Sequence, residues 1–232
     1  MMRIALVFDM DGVLFDSHPV HRTAWRELLR GAGKEVSDVD LEFVLEGATR
    51  EEILHHFLGP LTPHQAKLYA VQKEAIFRQE EDRVQLIEGL EGFLDVVDSA
   101  AIPMAVATSA SRMRTSRMLE NHRLANRFAA ILTGDDVPGG KSSPGIYLRA
   151  AELLQARASE VLVLEDAITA VKVVKGIGMK CIGVAEGQRG PGLVLAGADL
   201  VIPNFTNLDL ADVIGLFQNS AAVPRPVPTH GF

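Results

Sequence analysis

The chain has 232 residues, of which 47% are hydrophobic, so it can bury a substantial core and is not a disordered protein. Its 23 basic and 30 acidic residues give a net charge of -7, which argues against broad contact with nucleic acid or an anionic membrane surface. Any anionic substrate must therefore be held by a local positive site.

The start of the chain and its hydropathy predict a cytoplasmic protein. The first residues, MMRIALVF, run into acidic sequence without a long apolar segment or a small-residue cleavage site, so a signal peptide is not expected. No window approaches the roughly 18 to 20 consecutive apolar residues of a membrane span. The only cysteine, Cys181, cannot form a disulfide within the chain, and we expect a buried, inert thiol. The sequence does not determine the oligomeric state, for which we expect a monomer.

Short apolar runs recur along most of the chain and are predicted to be β-strands. The predicted strands are residues 4–8, 102–107, 129–132, 161–164, 180–184 and 199–202. Helical patterns lie between the later strands, at residues 111–121, 145–154 and 168–175. Because the strands are apolar without strict alternation, they indicate a parallel sheet that is covered on both faces. The predicted fold class is α/β, with a Rossmann-like parallel sheet core.

The interval after the first strand has a different pattern. Residues 17–83 show helical periodicity without a convincing strand, and Pro19 and Pro63 fit the first turns of helices. We therefore predict a core domain of residues 1–16 and 84–218, with an inserted all-helical cap domain at 17–83. Residues 219–232 are rich in proline and are predicted to be a flexible tail.

Polar side chains follow four of the predicted strands at the points where those strands end. They are Asp9 and Asp11 after strand 4–8, Thr108 and Ser109 after MAVA, Lys141 after ILTGDD, and Glu165 and Asp166 after VLVL. The carboxyl ends of parallel strands form the ligand crevice of an open sheet. If these strands are neighbours, four carboxylates, a hydroxyl and an ammonium group converge there.

The two aspartates of DMDG lie at i and i+2, where side chains of an extended segment point to the same side. They repel each other unless a cation or a shared proton lies between them. An all-oxygen set without histidine or cysteine selects a hard cation, and Mg²⁺ fits best. One carboxylate beside Mg²⁺ can attack phosphorus while a second carries a proton to the leaving oxygen. Lys141 and Thr108 would balance the phosphoryl oxygens, with backbone N–H groups at the start of helix 111–121.

Four segments of the chain, DMDGVLFDS, ATSAS, GKSSP and VLEDA, resemble the signature segments of the haloacid dehalogenase superfamily in order and spacing. The resemblance extends from about residue 4 to about residue 210. The second aspartate, Asp11, is typical of the phosphoryl-transfer branch and is absent from the dehalogenase branch. The resemblance implies that Asp9 is the nucleophile and Asp11 the general acid and base.

The same resemblance assigns the remaining site residues. It implies that Thr108 and Lys141 hold the phosphate, and that Ser109 contributes to substrate binding. It also implies a Mg²⁺ site formed by Glu165, Asp166, the Asp9 carboxylate and the Asp11 carbonyl.

The segments HRTAW and EGATREE resemble the β-phosphoglucomutase-like subgroup, in which the cap recognises small sugar phosphates. This resemblance implies that His21, Gly47, Arg50 and Lys73 face the substrate. The chain departs from the family pattern at four positions, Glu88, Ser142, Gly145 and Ala167. None of these departures removes a catalytic group, so they bear on rate and substrate preference more than on reaction class.

Structural roles are the alternative for several of these residues. DMDG superficially resembles a calcium loop but lacks the spacing of an EF-hand. Glu165 and Asp166 could complement a helix dipole, and Thr108 could cap a helix. In the predicted cap, His21 could simply pack with Trp25, and Arg50 could pair with Glu46.

The leading functional hypothesis is a Mg²⁺-dependent phosphatase that hydrolyses a small sugar or polyol phosphate through an aspartyl-phosphate. The expected partner is thus a small phosphorylated metabolite, and no nucleic acid or membrane partner is expected. The first alternative is a β-phosphoglucomutase-type sugar phosphomutase, which returns the phosphoryl group to a second hydroxyl. A phosphoacceptor signalling protein is less favoured, because receiver domains are about half this length and carry no helical insert after the first strand.

Overall fold

The computed structural model describes residues 3–45, 48–137 and 140–218. The chain divides into two compact units. One contains the residues up to Leu14 and from Leu86 onward, and the other is Phe15–Gln85. The predicted tail, 219–232, lies outside the described residues, as does Gly47.

The first unit is built on a six-stranded sheet in the order β5-β4-β1-β6-β7-β8. Its strands are β1 (Ala5–Phe8), β4 (Met104–Ala107), β5 (Ala130–Leu132), β6 (Val161–Glu165), β7 (Lys180–Val184) and β8 (Leu200–Ile202). Every pairing is parallel, with Val7 aligned with Ala105 on one side and with Val163 on the other. All residues of β1, β4 and β6 are buried, which explains their continuous apolar sequences. The predicted α/β fold class is confirmed.

Helices surround this sheet in the described part of the unit. They are α5 (Leu90–Ser99), α6 (Arg112–Asn121), α7 (Gly145–Leu153), α8 (Ile168–Gly176), α9 (Gly190–Leu195) and α10 (Leu210–Gln218). Three of them, α6, α7 and α8, lie at the predicted positions, whereas α5, α9 and α10 were not predicted. Strands β1, β4 and β6 share an apolar core with α7 and α8.

The second unit is helical apart from short strand segments at its ends. Its helices are α1 (His18–Gly31), α2 (Glu42–Leu45), α3 (Arg50–Leu58) and α4 (Pro63–Gln79). Strands β2 (Phe15–Asp16) and β3 (Gln85–Leu86) pair as a two-stranded sheet, which the sequence did not predict. Helices α3 and α4 begin with capping boxes at Thr49 and Thr62, which satisfy backbone N–H groups at both starts. Side chains of α1, α3 and α4 pack around Trp25, Leu29 and Leu54.

The sequence also led to expectations about membrane spans and about the only cysteine. Within the ranges given above, none of the helices combines the length and apolar character needed to cross a bilayer. Cys181 is a buried free thiol, and burial raises its pKa well above the ordinary value. A thiol with a raised pKa carries little thiolate and is a poor nucleophile.

Candidate active site

The central strands of the sheet place polar side chains at one edge. Strand β1 ends at Phe8 and is followed by Asp9, whose backbone N–H donates to Leu164 of β6 at 2.9 Å. Glu165 is the last residue of β6. On the other side of β1, strand β4 is followed by Thr108, whose N–H donates to Leu132 at 3.0 Å. Because β4, β1 and β6 are adjacent and parallel, these side chains emerge at the same edge.

Three carboxylates form a buried cluster at this edge. Asp9, Glu165 and Asp166 each offer a carboxylate oxygen, and these oxygens all lie within 4.8 Å of one another. The three residues are buried, and Glu165 has no exposed surface. Lys141 lies among them, with its Nζ 2.5 Å from Asp9 Oδ2 and 2.7 Å from Glu165 Oε1. The structure thus brings together four of the predicted residues.

The charges in this cluster are unequal, since three carboxylates face two cationic side chains, Lys141 among them and Arg189 on Asp166. Burial raises the pKa of Asp9 well above its ordinary value, against the opposing effect of Lys141, and Glu165 and Asp166 raise it further. For Lys141 burial acts to lower the pKa, but the negative charges of Asp9 and Glu165 outweigh it and hold the ammonium form. An additional cation would relieve the repulsion among the carboxylates.

Asp9 has unused hydrogen-bonding capacity. Its Oδ2 lies 2.5 Å from the ammonium group of Lys141, whereas its buried Oδ1 has no hydrogen-bond partner among the described residues. A buried oxygen without a partner is costly unless something else binds it. Unpartnered oxygens in an all-carboxylate cluster fit a hard divalent cation such as Mg²⁺. Asp9, Glu165 and Asp166 are the residues that would hold it.

Glu165 is held rigidly by its neighbours. Its Oε2 accepts hydrogen bonds from the backbone N–H groups of Asp166 and Ala167, at 2.8 and 2.9 Å. Its Oε1 accepts from the hydroxyl of Tyr147 at 3.0 Å and pairs with Lys141. Burial raises the pKa of the Tyr147 hydroxyl, and the charge of Glu165 raises it further, so the hydroxyl remains a donor. Glu165 therefore orients Lys141 as well as lying next to Asp9.

The loop that carries Lys141 packs against the loop after β4. Lys141 donates its backbone N–H to Ser109 Oγ at 3.4 Å, a long hydrogen bond. Gly134 approaches the Ser109 carbonyl so closely that a Cβ at this position would lie 2.6 Å from it. Thr133 and Asp136 tie the start of the loop together through hydrogen bonds from the Thr133 N–H and hydroxyl. Ser109 and Lys141 are thus brought together, with Thr108 buried beside them in sequence.

Asp11 lies outside the carboxylate cluster. Its two oxygens accept hydrogen bonds from Arg114 of α6, from Nη1 at 3.0 Å and from Nη2 at 2.6 Å. The chain turns immediately after Asp11 at Gly12, whose φ of 77° favours glycine. The two aspartates of DMDG therefore have different partners, Lys141 for Asp9 and Arg114 for Asp11.

Asp166 has a second cationic neighbour. Arg189, in the segment after β7, donates from Nη2 to the Asp166 carbonyl at 2.9 Å and to its carboxylate Oδ2 at 3.1 Å. This arginine ties the chain after β6 to the chain after β7. It restricts the orientation of Asp166 at the edge of the cluster.

The helical unit holds the other predicted substrate residues. His21 Nδ1 lies 2.7 Å from Nζ of Lys73, and Lys73 is buried against the rings of Phe77 and Trp25. The His21 ring also packs against the Phe77 ring in a tilted arrangement, with 4.6 Å between ring centroids. The unit thus brings His21 and Lys73 together. Arg50 is exposed at the first position of α3, and Gly47 lies outside the described residues.

Three residues next to the site were missed from the sequence, namely Arg114, Tyr147 and Arg189. Each is distant in sequence from the carboxylate it contacts, so no local pattern could identify the pairing. The departures from the family pattern leave the cluster intact. The N–H of Ala167 still donates to Glu165, and Glu88 accepts a hydrogen bond from Asn204.

Comparisons with known proteins agree with this geometry. A family model described as haloacid dehalogenase-like hydrolase matches residues 6–184. The chain is 30% identical over 201 residues to the phosphorylated carbohydrates phosphatase of Thermotoga maritima, covering 84% of this chain and 91% of that protein. It is 28% identical over 218 residues to the β-phosphoglucomutase of Bacillus subtilis, covering 89% and 92%. A HAD hydrolase of family IA, variant 3, from Entamoeba histolytica matches with a TM-score of 0.85 at 26% identity, covering 93% and 100%.

A parallel sheet that carries a buried carboxylate cluster and a lysine at its strand ends is typical of enzymes of the α/β class whose chemistry depends on carboxylates. The chain belongs to the haloacid dehalogenase-like hydrolase family. The resemblance noted in its four sequence segments is confirmed.

Proposed function

We propose that this phosphoric monoester hydrolase is a Mg²⁺-dependent phosphatase that cleaves a small sugar or polyol phosphate through an aspartyl-phosphate on Asp9. The observation that carries the proposal is the buried Asp9 carboxylate, whose Oδ2 lies 2.5 Å from Lys141 and whose Oδ1 has no hydrogen-bond partner among the described residues. A carboxylate oxygen that accepts no hydrogen bond is available for attack on phosphorus.

In the first half-reaction, an oxygen of Asp9 attacks phosphorus and the bond from phosphorus to the alcohol oxygen breaks. Asp11 gives a proton to that leaving oxygen. Lys141 and the Thr108 hydroxyl bind the phosphoryl oxygens as charge shifts onto them. The first product is the dephosphorylated sugar or polyol, and the phosphoryl group remains on Asp9.

In the second half-reaction, a water molecule attacks the phosphorus of the aspartyl-phosphate. Asp11, now a carboxylate, accepts a proton from that water, and the carboxylate of Asp9 leaves. Asp9, Glu165 and Asp166 would hold Mg²⁺, with the carbonyl of Asp11. When bound, Mg²⁺ supplies positive charge that neutralises the carboxylates and the phosphoryl oxygens. Glu165, fixed by Tyr147, keeps Lys141 oriented in both steps.

The substrate class rests on the relatives and on the helical unit. Among the similar proteins are a phosphorylated carbohydrates phosphatase and a fructose-1-phosphate phosphatase from Escherichia coli, which is 29% identical over 187 residues. Both names support a small phosphorylated carbohydrate as substrate. We assign recognition of the carbohydrate to His21, Gly47, Arg50 and Lys73, within a cap domain at 17–83. The proposal includes the cytoplasmic location expected from the sequence.

A sugar phosphomutase of the β-phosphoglucomutase type is the second candidate, because the relative in Bacillus subtilis carries that name. A mutase holds the aspartyl-phosphate against water until a bound intermediate has turned over, whereas a phosphatase admits water once the first product has left. The phosphatase is favoured because the other two relatives described above are named phosphatases. A phosphoacceptor signalling role is not favoured in a hydrolase family.

The test is a screen of phosphorylated metabolites with Mg²⁺, in which both free phosphate and isomerised sugar phosphate are measured. We expect phosphate release from sugar monophosphates without a bisphosphate activator. Interconversion of β-glucose 1-phosphate and glucose 6-phosphate that exceeds phosphate release and depends on a bisphosphate would establish the mutase instead.

The covalent step is tested separately by acid trapping of radiolabelled phosphoenzyme. Wild-type protein should carry label, and Asp9→Asn protein should carry none. Label trapped on Asp9→Asn protein would show that another residue is the nucleophile.

A further inference from the structure

We infer that Arg114 is a positioning residue that fixes the side chain of Asp11 for proton transfer, an inference that rests on the proposed function. The two side chains form a fork-to-fork pair, in which Nη1 donates to Oδ1 at 3.0 Å and Nη2 donates to Oδ2 at 2.6 Å. Two parallel hydrogen bonds fix both the position and the plane of a carboxylate, which a single contact does not.

The pair is largely removed from solvent. The side chain of Arg114 is 7% exposed and that of Asp11 is 20% exposed. Screening by water is weak at such a site, so the contact constrains Asp11 more strongly than a surface pair would. Asp11 is the more exposed partner of the pair, so its carboxylate remains accessible to the leaving group of a substrate.

The backbone of Arg114 is fixed as well. Ser111 caps α6, and its hydroxyl oxygen accepts the N–H of Arg114 at 3.3 Å. Helix α6 follows β4, and β4 lies beside β1, so Arg114 and Asp11 come from adjacent strand ends. A rigid helix start thus presents the guanidinium group to the second aspartate of DMDG.

Asp9 and Asp11 are separated by this arrangement. Lys141 pairs with Asp9, whereas Arg114 pairs with Asp11, whose carboxylate lies outside the cluster of Asp9, Glu165 and Asp166. Loss of Arg114 would remove the two hydrogen bonds that set the plane of the Asp11 carboxylate. Arg114 therefore keeps the two aspartates in different roles, one within the cluster and one beside it.

The experiment compares Arg114→Met and Arg114→Lys with wild type on 4-nitrophenyl phosphate and on phenyl phosphate. The two probes are similar in size, but phenol is the less acidic leaving group and so depends more on protonation by Asp11. We expect Arg114→Met to lower kcat/KM for phenyl phosphate about tenfold more than kcat/KM for 4-nitrophenyl phosphate. Arg114→Lys should give an intermediate selectivity, because lysine keeps the charge but lacks the fork.

A double-mutant cycle shows whether Arg114 acts through Asp11. In an Asp11→Asn background, adding Arg114→Met should leave the ratio of the two kcat/KM values unchanged. Arg149→Met, which removes an arginine from an exposed pair with Glu152, is the matched control and should behave as wild type. Thermal unfolding of each variant shows that the protein is folded, and Arg114→Lys alone decides the question if Arg114→Met does not fold.

Equal losses on both probes would overturn the inference and would indicate that Arg114 binds the phosphoryl group or only stabilises the fold. The inference would also be overturned if Arg114→Met changed the ratio of the two kcat/KM values as much in Asp11→Asn protein as in wild type. Failure of the proposed function would give a different result from failure of this inference. In that case Asp9→Asn protein would hydrolyse 4-nitrophenyl phosphate as fast as wild type.

Discussion

The ammonium group of Lys141 lies 2.5 Å from the carboxylate of Asp9, and both side chains are almost completely buried. Lys141 also contacts Glu165, so one cation is shared between two carboxylates. Asp166 is paired with Arg189, so the three carboxylates of the cluster have two cationic partners and are one positive charge short of balance. This imbalance is the source of the expected metal dependence and of the expected dependence of stability on pH.

The first prediction concerns the stability of metal-free protein. Because burial raises the pKa of Asp9 in the folded state, the folded protein binds this proton more tightly than the unfolded chain does. The contribution of Asp9 to stability therefore falls as the pH rises above the ordinary aspartate pKa of about 3.9. In EDTA, Asp9→Asn should have a higher Tm than wild type at pH 7, and the difference should shrink towards pH 4.

The measurement is thermal unfolding across this pH range, with Asp38→Asn as the control, since Asp38 is exposed. A lower Tm for Asp9→Asn than for wild type at pH 7 would contradict the argument. Added Mg²⁺ should raise the Tm of wild type more than that of Asp9→Asn, because ligands that bind only the folded state stabilise it.

Replacement of Lys141, the cation shared by Asp9 and Glu165, should strongly reduce both stability and turnover. Lys141→Met leaves Asp9 and Glu165 buried without their common partner, and breaking a buried pair in this way typically costs about 3 to 5 kcal/mol. We expect a loss of this size in the free energy of unfolding, together with loss of turnover. Urea unfolding measures the first and phosphate release the second.

The matched control for this variant is Lys172→Met, on the exposed side of α8. It should change the free energy of unfolding by less than about 0.5 kcal/mol. If Lys141→Met were as stable as this control, the ion pairs of Lys141 would contribute nothing to folding.

Tyr147 is expected to support the metal site through Glu165. Tyr147→Phe removes the hydroxyl that donates to Oε1 at 3.0 Å, and loss of such a supporting hydrogen bond typically weakens metal binding about 10- to 100-fold. Because the pKa of Tyr147 is raised, the difference from wild type should not vanish on going from pH 7 to pH 9. Calorimetric titration with Mg²⁺ measures the affinity, and Tyr69→Phe in the helical unit serves as the control. Equal affinities for wild type and Tyr147→Phe would exclude this role.

Removal of divalent metal should abolish turnover. Mg²⁺ should restore activity better than Ca²⁺, because the longer and looser coordination of Ca²⁺ misplaces the reacting carboxylate. Phosphate release is measured after treatment with EDTA and after each metal is added back. Full activity after exhaustive chelation would rule out the Mg²⁺ assignment.

The helical unit should affect large substrates selectively. If Arg50 recognises the distal part of the substrate as proposed, Arg50→Ala should weaken binding of a sugar phosphate, because that guanidinium group is lost. Hydrolysis of 4-nitrophenyl phosphate should remain nearly unchanged, since this small ester has no sugar to recognise. Steady-state KM values for both substrates test the prediction, with Arg83→Ala, an exposed residue paired with Glu80, as the control. A parallel loss on both esters would assign Arg50 a role in folding or in catalysis.

The α/β fold could be predicted from local sequence because fully buried parallel strands have continuous apolar sequences. Residues 161–164 and 180–184 were predicted as strands for this reason, and both belong to the sheet. Helices α5, α9 and α10 were missed, and so were the two-residue strands β2 and β3, which carry too few residues for a periodic pattern. Two-residue strands are formed by tertiary pairing more than by local preference.

The acidic cluster was predictable in part because each member follows a strand directly in sequence. Strand order then determines which ends meet: β1 and β6 are adjacent and bring Asp9 and Glu165 together, and the Lys141 loop after β5 contacts Ser109 after β4. The sequence by itself thus determined the fold class, the family and the residues that carry charge at the strand ends. The pairings of Tyr147 with Glu165 and of Arg114 with Asp11 were decided only by the tertiary structure. They join residues 18 and 103 positions apart, and such contacts depend on packing between elements that no local sequence pattern encodes.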